Sequence, residues 1–432
     1  MPLFAGAARE TITPEVGVLL SGYHDNNKST SVHDDLTVTA LALKSGDVTA
    51  LLISATVSLI HGDLADEIRQ KAGEIAGVPS DNVILAATHT HSGPFTNGRG
   101  KEKKNMNFEY CKNIFVPKCL EAAKAAYAAL VPAKAGVGTT ESKVGINRRQ
   151  LLRDGSVILG QNPWDPYDST MTVISFRGTD GKPIANVVHV GAHPTAAGIC
   201  PEISRDWPGV MMDRLDEESK ALTLFANGTL GDVAPRMANG GSTGNMKHML
   251  EVGGVAAIDA VRAYKSIKRF YDEPLEVVSG ELKLPFTEPF PESEIAAQLE
   301  GLDVQWSANK SKREMLETLA EMHKSGDMGP DEWTYRQSII RLGPVVFVPF
   351  PFETVTEVGK RLRTYSPFEH SLLLSCTNGS NSYLVAESQL CRGGYEVERF
   401  RWARPRQFPD DADRMMIEQN LALIEKLDVY GG

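Results

Sequence analysis

The sequence predicts an α/β protein: mixed β-sheets flanked by helices, forming a single large catalytic domain whose active site lies at strand carboxyl ends. Three observations predict it. Short apolar runs rich in β-branched residues alternate with stretches of helical spacing. Several of these runs end in loops rich in Gly, Pro and Asn that carry a His, a Tyr or a carboxylate. The chain of 432 residues, 42% hydrophobic and 23% charged, has the balance of a soluble globular protein and is long enough for a large core. Length alone would also allow two lobes.

The elements follow in order. Leu36–Leu43 and Thr49–Leu59 are expected as paired strands across the turn Ser45-Gly46-Asp47. Leu64–Ala76 has helical spacing and stops at Gly77, a C-terminal capping residue. Val83–Ala87, bounded by Ser80-Asp81-Asn82 and Gly93-Pro94, is expected as a buried strand. The Ala-rich stretch Phe108–Leu130 is expected as one helix closed by Val131-Pro132. Residues 170–177 and 184–190 form a hairpin around Thr179–Lys182. Residues 293–326 are charged and helical, a surface insertion near 290–330 within a domain spanning 1–432. No internal repeat or low-complexity tract is present.

A net charge of −10 argues against nucleic-acid binding and against stable association with anionic membranes. No apolar run approaches the roughly 18–20 residues of a membrane span. Met1–Arg9 lacks the basic start and apolar stretch of a secretory signal, so a cytoplasmic protein acting on a small molecule is expected. Oligomeric state is not readable. The five cysteines are scattered, with no C-x-x-C pair, so reduced and mostly buried thiols are expected rather than a disulfide framework or zinc ribbon.

The chemistry concentrates in Thr88-His89-Thr90-His91-Ser92-Gly93-Pro94, directly after the strand Val83–Ala87. Imidazoles at i and i+2 point to one side if strand geometry persists, and loops past strand ends are where open α/β sheets bind ligands. The bland reading is one packed and one solvent-facing His. Four more apolar runs end in such loops: Ile184–Val190 before Ala192-His193-Pro194, Ala221–Ala226 before Asn227–Arg236, Val345–Val348 before Glu353, and Ser371–Ser375 before Asn378–Tyr383. If parallel neighbours bring these loops together, two His and a carboxylate with an open position make the ligand set of a catalytic zinc site. Taken singly, Glu353 reads as a carboxylate at a helix N-terminus, ahead of Val355–Leu362, and Tyr383 as a packed aromatic.

Several blocks resemble the neutral/alkaline non-lysosomal ceramidase family, in its N-terminal catalytic domain. They are Thr11-Ile12-Thr13-Pro14, Ser21-Gly22-Tyr23, the Thr-His-Thr-His-Ser-Gly-Pro motif, Ile146-Asn147-Arg148, Ala192-His193-Pro194, Ser204–Gly209 and Gly394-Tyr395-Glu396. The resemblance covers nearly the whole chain, without the family's C-terminal immunoglobulin-like domain. It implies one Zn2+ held by His89, His193, Glu353 and Tyr383, with His91 and Arg148 lining the active site.

The departure from this family that matters most falls at one position. The family's Gly-Asp-Val-Ser-Pro block, whose Ser is its proposed nucleophile, reads Gly231-Asp232-Val233-Ala234-Pro235. Alanine has no hydroxyl, so a covalent Ser mechanism is excluded there. Zinc can instead lower the pKa of a water molecule to about 7. His91 and Asp232 are the candidate acid–base groups, although Asp232 is equally suited to capping a turn. Arg148 suits a developing oxyanion or a substrate carboxylate.

The expected function is therefore a zinc-dependent hydrolase using metal-activated water on a small polar substrate, through an amide, ester or glycosidic bond other than that of ceramide. The alternatives are a zinc-assisted lyase or isomerase and a non-catalytic ligand-binding relative. An arginine-dense stretch, Arg392, Arg399, Arg401, Arg404 and Arg406, would either bind an anion or sugar or form an exposed strand paired with Asp410, Asp411 and Asp413. Trp164, Trp207 and Trp402, in loop-like segments, would stack on a sugar or pack.

Overall fold

Eight strands make a mixed sheet with parallel flanks and an antiparallel middle. In chain order they are β1 (Leu3–Thr11), β2 (Thr37–Ser45), β3 (Val48–Ala55), β4 (Val83–Ala87), β5 (Val131–Glu141), β6 (Thr170–Gly178), β7 (Pro183–Val190) and β8 (Leu222–Asn227). Their spatial order is β8-β7-β6-β5-β1-β2-β3-β4. β7 with β8 and β3 with β4 are the parallel pairs. A second sheet runs β9 (Leu275–Pro285), β10 (Glu332–Leu342), β11 (Val345–Pro349) and β12 (His370–Leu374), with β11 and β12 parallel. The computed structural model describes residues 1–23, 26–98, 103–303 and 307–427.

The two sheets pack face to face, and helices cover their outer faces. Alternate residues show this, since successive side chains on a strand point opposite ways. Leu41 and Leu43 of β2, Leu52 of β3, Phe347 of β11 and Leu372 and Leu374 of β12 meet between the sheets. Their neighbours Val38, Ala40, Leu51 and Ile53 face α1 (Gly62–Ala76) and α2 (Val116–Ala128). At the other flank Val188 and Phe225 face α3 (Asp206–Ser219) and α4 (Met246–Ser266). The strands read as continuous apolar runs because both faces are buried. Burial on both faces is also why the expected mixed sheets flanked by helices are found. Further helices include α5 (Glu292–Leu299), α6 (Ser307–Ser325), α7 (Thr356–Tyr365), α8 (Tyr395–Arg401) and α9 (Ala412–Ile424). α7 and α9 cover the outer face of the second sheet through Val358, Leu362, Met416 and Ile417.

Hydrogen bonds stitch the ends of the two sheets together. The loop after β12 reaches β4, with Ala87 N donating to the Cys376 carbonyl at 3.0 Å and Asn378 N to the Leu85 carbonyl at 2.8 Å. It also reaches β8, Ser375 N donating to the Asn227 carbonyl at 2.9 Å. Chemically loaded loops from separate sheets therefore meet at one place.

Several sequence expectations need correction. The strand expected to run to Leu59 ends at Ala55, where Val57 N folds back onto the Ala55 carbonyl. The helix expected over Phe108–Leu130 is interrupted by a π-helical turn at Cys111–Phe115, shortly before Pro117, which has no N–H to continue the ladder. The helix expected at Val355–Leu362 is displaced to Thr356–Tyr365. The helical stretch expected over 293–326 is two helices, and 304–306 lie outside the described residues. The arginine-dense stretch is not a strand: it contains helix α8 and a following turn. Of its arginines, Arg401 pairs with Asp410, whereas Asp411 pairs with Arg414 and Asp413 with Arg361. Trp207 lies in α3 and is fully buried, and Trp402 is buried behind α8, so only Trp164 is exposed in a loop.

Candidate metal centre and active site

β4 stops at Ala87, two residues before the motif's first histidine. His89 adopts a left-handed backbone at φ 76°, held by its N–H on the Val57 carbonyl at 2.9 Å. A non-glycine residue kept there is strained, and such strain concentrates at functional sites. The motif therefore does not continue the strand, yet the two imidazoles still meet: His91 Nε2 lies 3.3 Å from His89 Nε2. The His89 Nδ1 is 2.8 Å from the Ser58 carbonyl. A carbonyl can only accept, so Nδ1 carries the proton. Burial works against a charge on this ring, but Cys376 and Glu353 outweigh it and hold its pKa well above the ordinary histidine value, so Nε2 becomes a lone-pair donor when its proton leaves, as metal binding requires.

His193 is prepared in the same way from the loop after β7. Its Nδ1 is 2.7 Å from the Leu230 carbonyl, which leaves Nε2 as a lone-pair donor. That Nε2 is 3.2 Å from Glu353 Oε2, and the same oxygen is 3.5 Å from His89 Nε2. Glu353 does not sit in the first turn of α7; it opens the two-residue strand Glu353–Thr354, paired in parallel with Tyr383–Leu384. Glu353 and Tyr383 stand in register, and the Tyr383 hydroxyl is 3.5 Å from His193 Nε2. All four side chains are buried. Burial pushes the Glu353 carboxyl up, but the flanking His89 and His193 outweigh it and hold the group well below the usual carboxylate range. Burial keeps the Tyr383 hydroxyl protonated.

His91, half-buried, completes a trio with the two buried histidines: one nitrogen each of His89, His91 and His193 lie within 4.8 Å of one another, a grouping that could hold a metal ion. Burial and the two neighbouring imidazoles hold His91 neutral. Its ring lies against Gly22, where a Cβ would come within 2.4 Å of it, and its Nδ1 is buried without a partner.

Arg148 donates from Nη2 to the Tyr383 hydroxyl at 2.9 Å, and its Nε pairs with Glu396 at 2.7 Å. Glu396 also takes Arg149 Nη1 at 2.8 Å. Asp232 faces elsewhere. Its Oδ1 accepts from the N–H and hydroxyl of Thr356, both at 2.8 Å, and its Oδ2 from Gln389 Nε2 at 3.1 Å. It caps α7 from outside, where Val355 offers no side-chain cap. Ala234 is fully buried in a short strand opposite Ile146.

Two contributors, Asn227 and Cys376, carried no individual signal legible in the sequence. Asn227 Nδ2 donates to the Thr88 carbonyl at 3.0 Å and to the Ala192 carbonyl at 3.1 Å, the residues preceding His89 and His193. Cys376, one of five unpaired thiols, has its Sγ 3.6 Å from His89 Nδ1. Glu396 was visible only as part of a family block.

A cleft of about 690 Å3 opens onto Glu353. Its walls include Lys310, Glu314 and Met315 of α6, the loop Ser380–Ser382, and Arg399 and Arg404. α5 and α6 are anchored beside it by Ile295, Leu316 and Leu319, which cluster with Trp402. Among the described residues no helix is long and apolar enough to cross a membrane.

No family model and no curated protein matches the chain. Solved structures do. The neutral ceramidase from Pseudomonas aeruginosa superposes with a TM-score of 0.75 at 19% identity, over 99% of this chain and 75% of that one. A ceramidase complexed with C2 gives 0.76 at 18% identity, over 100% of this chain and 77% of the other. At these identities the likeness is one of fold, and over its length the chain has a neutral-ceramidase-like fold.

Proposed function

We propose that this protein is a zinc-dependent hydrolase of a small, polar, water-soluble substrate, with water rather than a side chain as the attacking group. The observation that carries the reading is the convergence of His89 Nε2 and His193 Nε2 on Glu353 Oε2, with both imidazole tautomers set by backbone carbonyls. Neutral imidazole nitrogens and a carboxylate are the donors zinc takes in catalytic sites. On this reading His89, His193, Glu353 and Tyr383 hold the ion. When bound, zinc supplies Lewis-acid polarisation and a lowered pKa for water.

The chain's own residues do the rest. His91, neutral and beside His89, takes the proton from the attacking water and returns it to the leaving group. Arg148, kept charged against its burial by the Glu396 carboxylate, orients Tyr383 and faces negative charge developing on the substrate. Asp232 has both oxygens engaged at α7 and serves to position the segment after Glu353. Ala234 removes the hydroxyl that a Ser pathway requires. The lysine, arginine, asparagine and serine side chains around the cleft suit a polar molecule better than the acyl chains of ceramide.

The test is turnover in ¹⁸O-labelled water across amide, ester and glycoside panels. Expected is incorporation of solvent oxygen into product, with His91→Asn slowed by about 100-fold or more while it keeps its zinc. Turnover without incorporation would instead identify a lyase or isomerase, and a preference for ceramide would contradict the polar-substrate reading.

A further inference from the structure

The arginine-dense stretch divides into two groups. Arg392 lies 3.8 Å from Asp165, Arg401 3.3 Å from Asp410 and Arg406 3.1 Å from Asp331. Arg399 and Arg404 have no carboxylate partner among the described residues. Arg399 donates from Nη1 to the Ser311 hydroxyl, which leaves a buried Nε without an acceptor. Arg404 donates from Nη2 to the Asn381 carbonyl at 3.1 Å and stacks on Phe408, its Cζ 3.8 Å from the ring centroid. Its Nη1 is shut away from solvent without an acceptor.

Both arginines line the cleft that opens onto Glu353. A buried donor left unmade costs free energy, more so on a charged group. Two guanidinium groups with such donors, both lining one cleft, suit an oxyanion, which the planar guanidinium fork binds in preference to other groups. The stacking on Phe408 and the bond to Asn381 fix the Arg404 plane before any ligand arrives. Burial without a compensating carboxylate pulls its guanidinium down to about 9, which still leaves it charged at neutral pH. Lys104 and Lys310 also line the cleft.

We propose that Arg399 and Arg404 form the subsite for an oxyanion on the substrate, a carboxylate, sulfate or phosphate, carried apart from the bond that is cleaved. This names the substrate class for the hydrolase reading and rests on it for placing the scissile end at His89, His193 and Glu353.

The experiment is calorimetric titration of the purified full chain with sodium acetate, sulfate and phosphate in turn. Wild type, Arg399→Gln, Arg404→Gln and Arg404→Lys are compared, with zinc content and melting temperature measured for each. Wild type is expected to bind at least one ion saturably, and both Gln variants to bind it about tenfold more weakly or worse, consistent with loss of a charge-assisted hydrogen bond. Arg404→Lys keeps the charge but not the fork and is expected between them. Ion-free Arg404→Gln is expected to melt at or above the wild-type temperature, because it sheds a buried uncompensated charge. The preferred ion separates a carboxylate from a sulfate or phosphate substrate. No saturable binding, or wild-type affinity in both Gln variants as an ion seated on the metal would give, overturns the subsite. Wild-type protein that binds the ion through Arg404 but takes up no zinc sinks the hydrolase reading and leaves the subsite standing.

Discussion

Asn227 donates to the Thr88 carbonyl at 3.0 Å, one residue before His89. The same amide nitrogen reaches the Ala192 carbonyl at 3.1 Å, one residue before His193, and its Oδ1 accepts from Ala192 N at 3.2 Å. One fully buried side chain at the end of β8 therefore sets the separation of the two loops that present imidazoles.

Asn227→Ala should loosen that separation without touching any candidate ligand. Zinc affinity is expected to fall by about 10–100-fold, the usual cost of removing an outer partner of a metal site. Competition with a chromogenic chelator measures it. Unchanged affinity in a folded variant would show that the loops hold their spacing without Asn227.

Glu396 is the counterion for two buried arginines, Arg148 and Arg149. Glu396→Gln leaves both charges unpaired in the interior, and breaking such a pair costs about 3–5 kcal/mol. Denaturant unfolding should register the loss, and Tyr383 should lose its fixed place through Arg148. A variant as stable as wild type contradicts this account of the cluster.

Much of this arrangement was legible in the sequence, and the illegible part has a physical reason. Eight of the twelve strands of the two main sheets were visible as apolar runs, β1, β5, β9 and β10 were not, and the Thr88–Pro94 motif marked the site. What the pattern could not show is that β4 and β8 belong to one sheet and β12 to another, and that hydrogen bonds donated by Ser375 and Asn378 and accepted by Cys376 join them. Local periodicity carries no information about such long-range pairings. The same limit hid Asn227 and Glu396, whose roles exist only through partners far along the chain. Asp232 looked like an acid–base group or a turn cap; it caps α7, which begins at Thr356, more than a hundred residues later.

Gly22 tests His91 from a distance. Its φ is +114°, and an added Cβ would lie 2.4 Å from the His91 ring. Gly22→Ala should displace that ring and slow turnover by about tenfold or more, within the range general acid–base catalysis contributes, while zinc content stays at the wild-type level. Full activity with the ring displaced in a crystal structure would remove His91 from the proton-transfer role.

The Asp168–Arg363 pair, at 2.6 Å, ties the segment before β6 to α7. Burial raises the Asp168 carboxyl, but Arg363 and Thr170 outweigh burial and leave it lowered. A lowered folded pKa means the unfolded chain binds the proton first as pH falls. The pair's contribution is therefore full above about pH 4, near the unfolded value, and is lost below it. Melting curves of wild type and Asp168→Asn should converge as pH drops below that point; a gap that widens in acid contradicts the assignment.

The most direct measurement is metal content by inductively coupled plasma mass spectrometry on purified wild type, His193→Ala and His91→Asn. The account predicts about one zinc per chain in wild type, as one set of N and O donors implies, loss of it in His193→Ala and retention in His91→Asn. Wild-type protein without zinc, or His91→Asn losing it as completely as His193→Ala, would contradict the site described here.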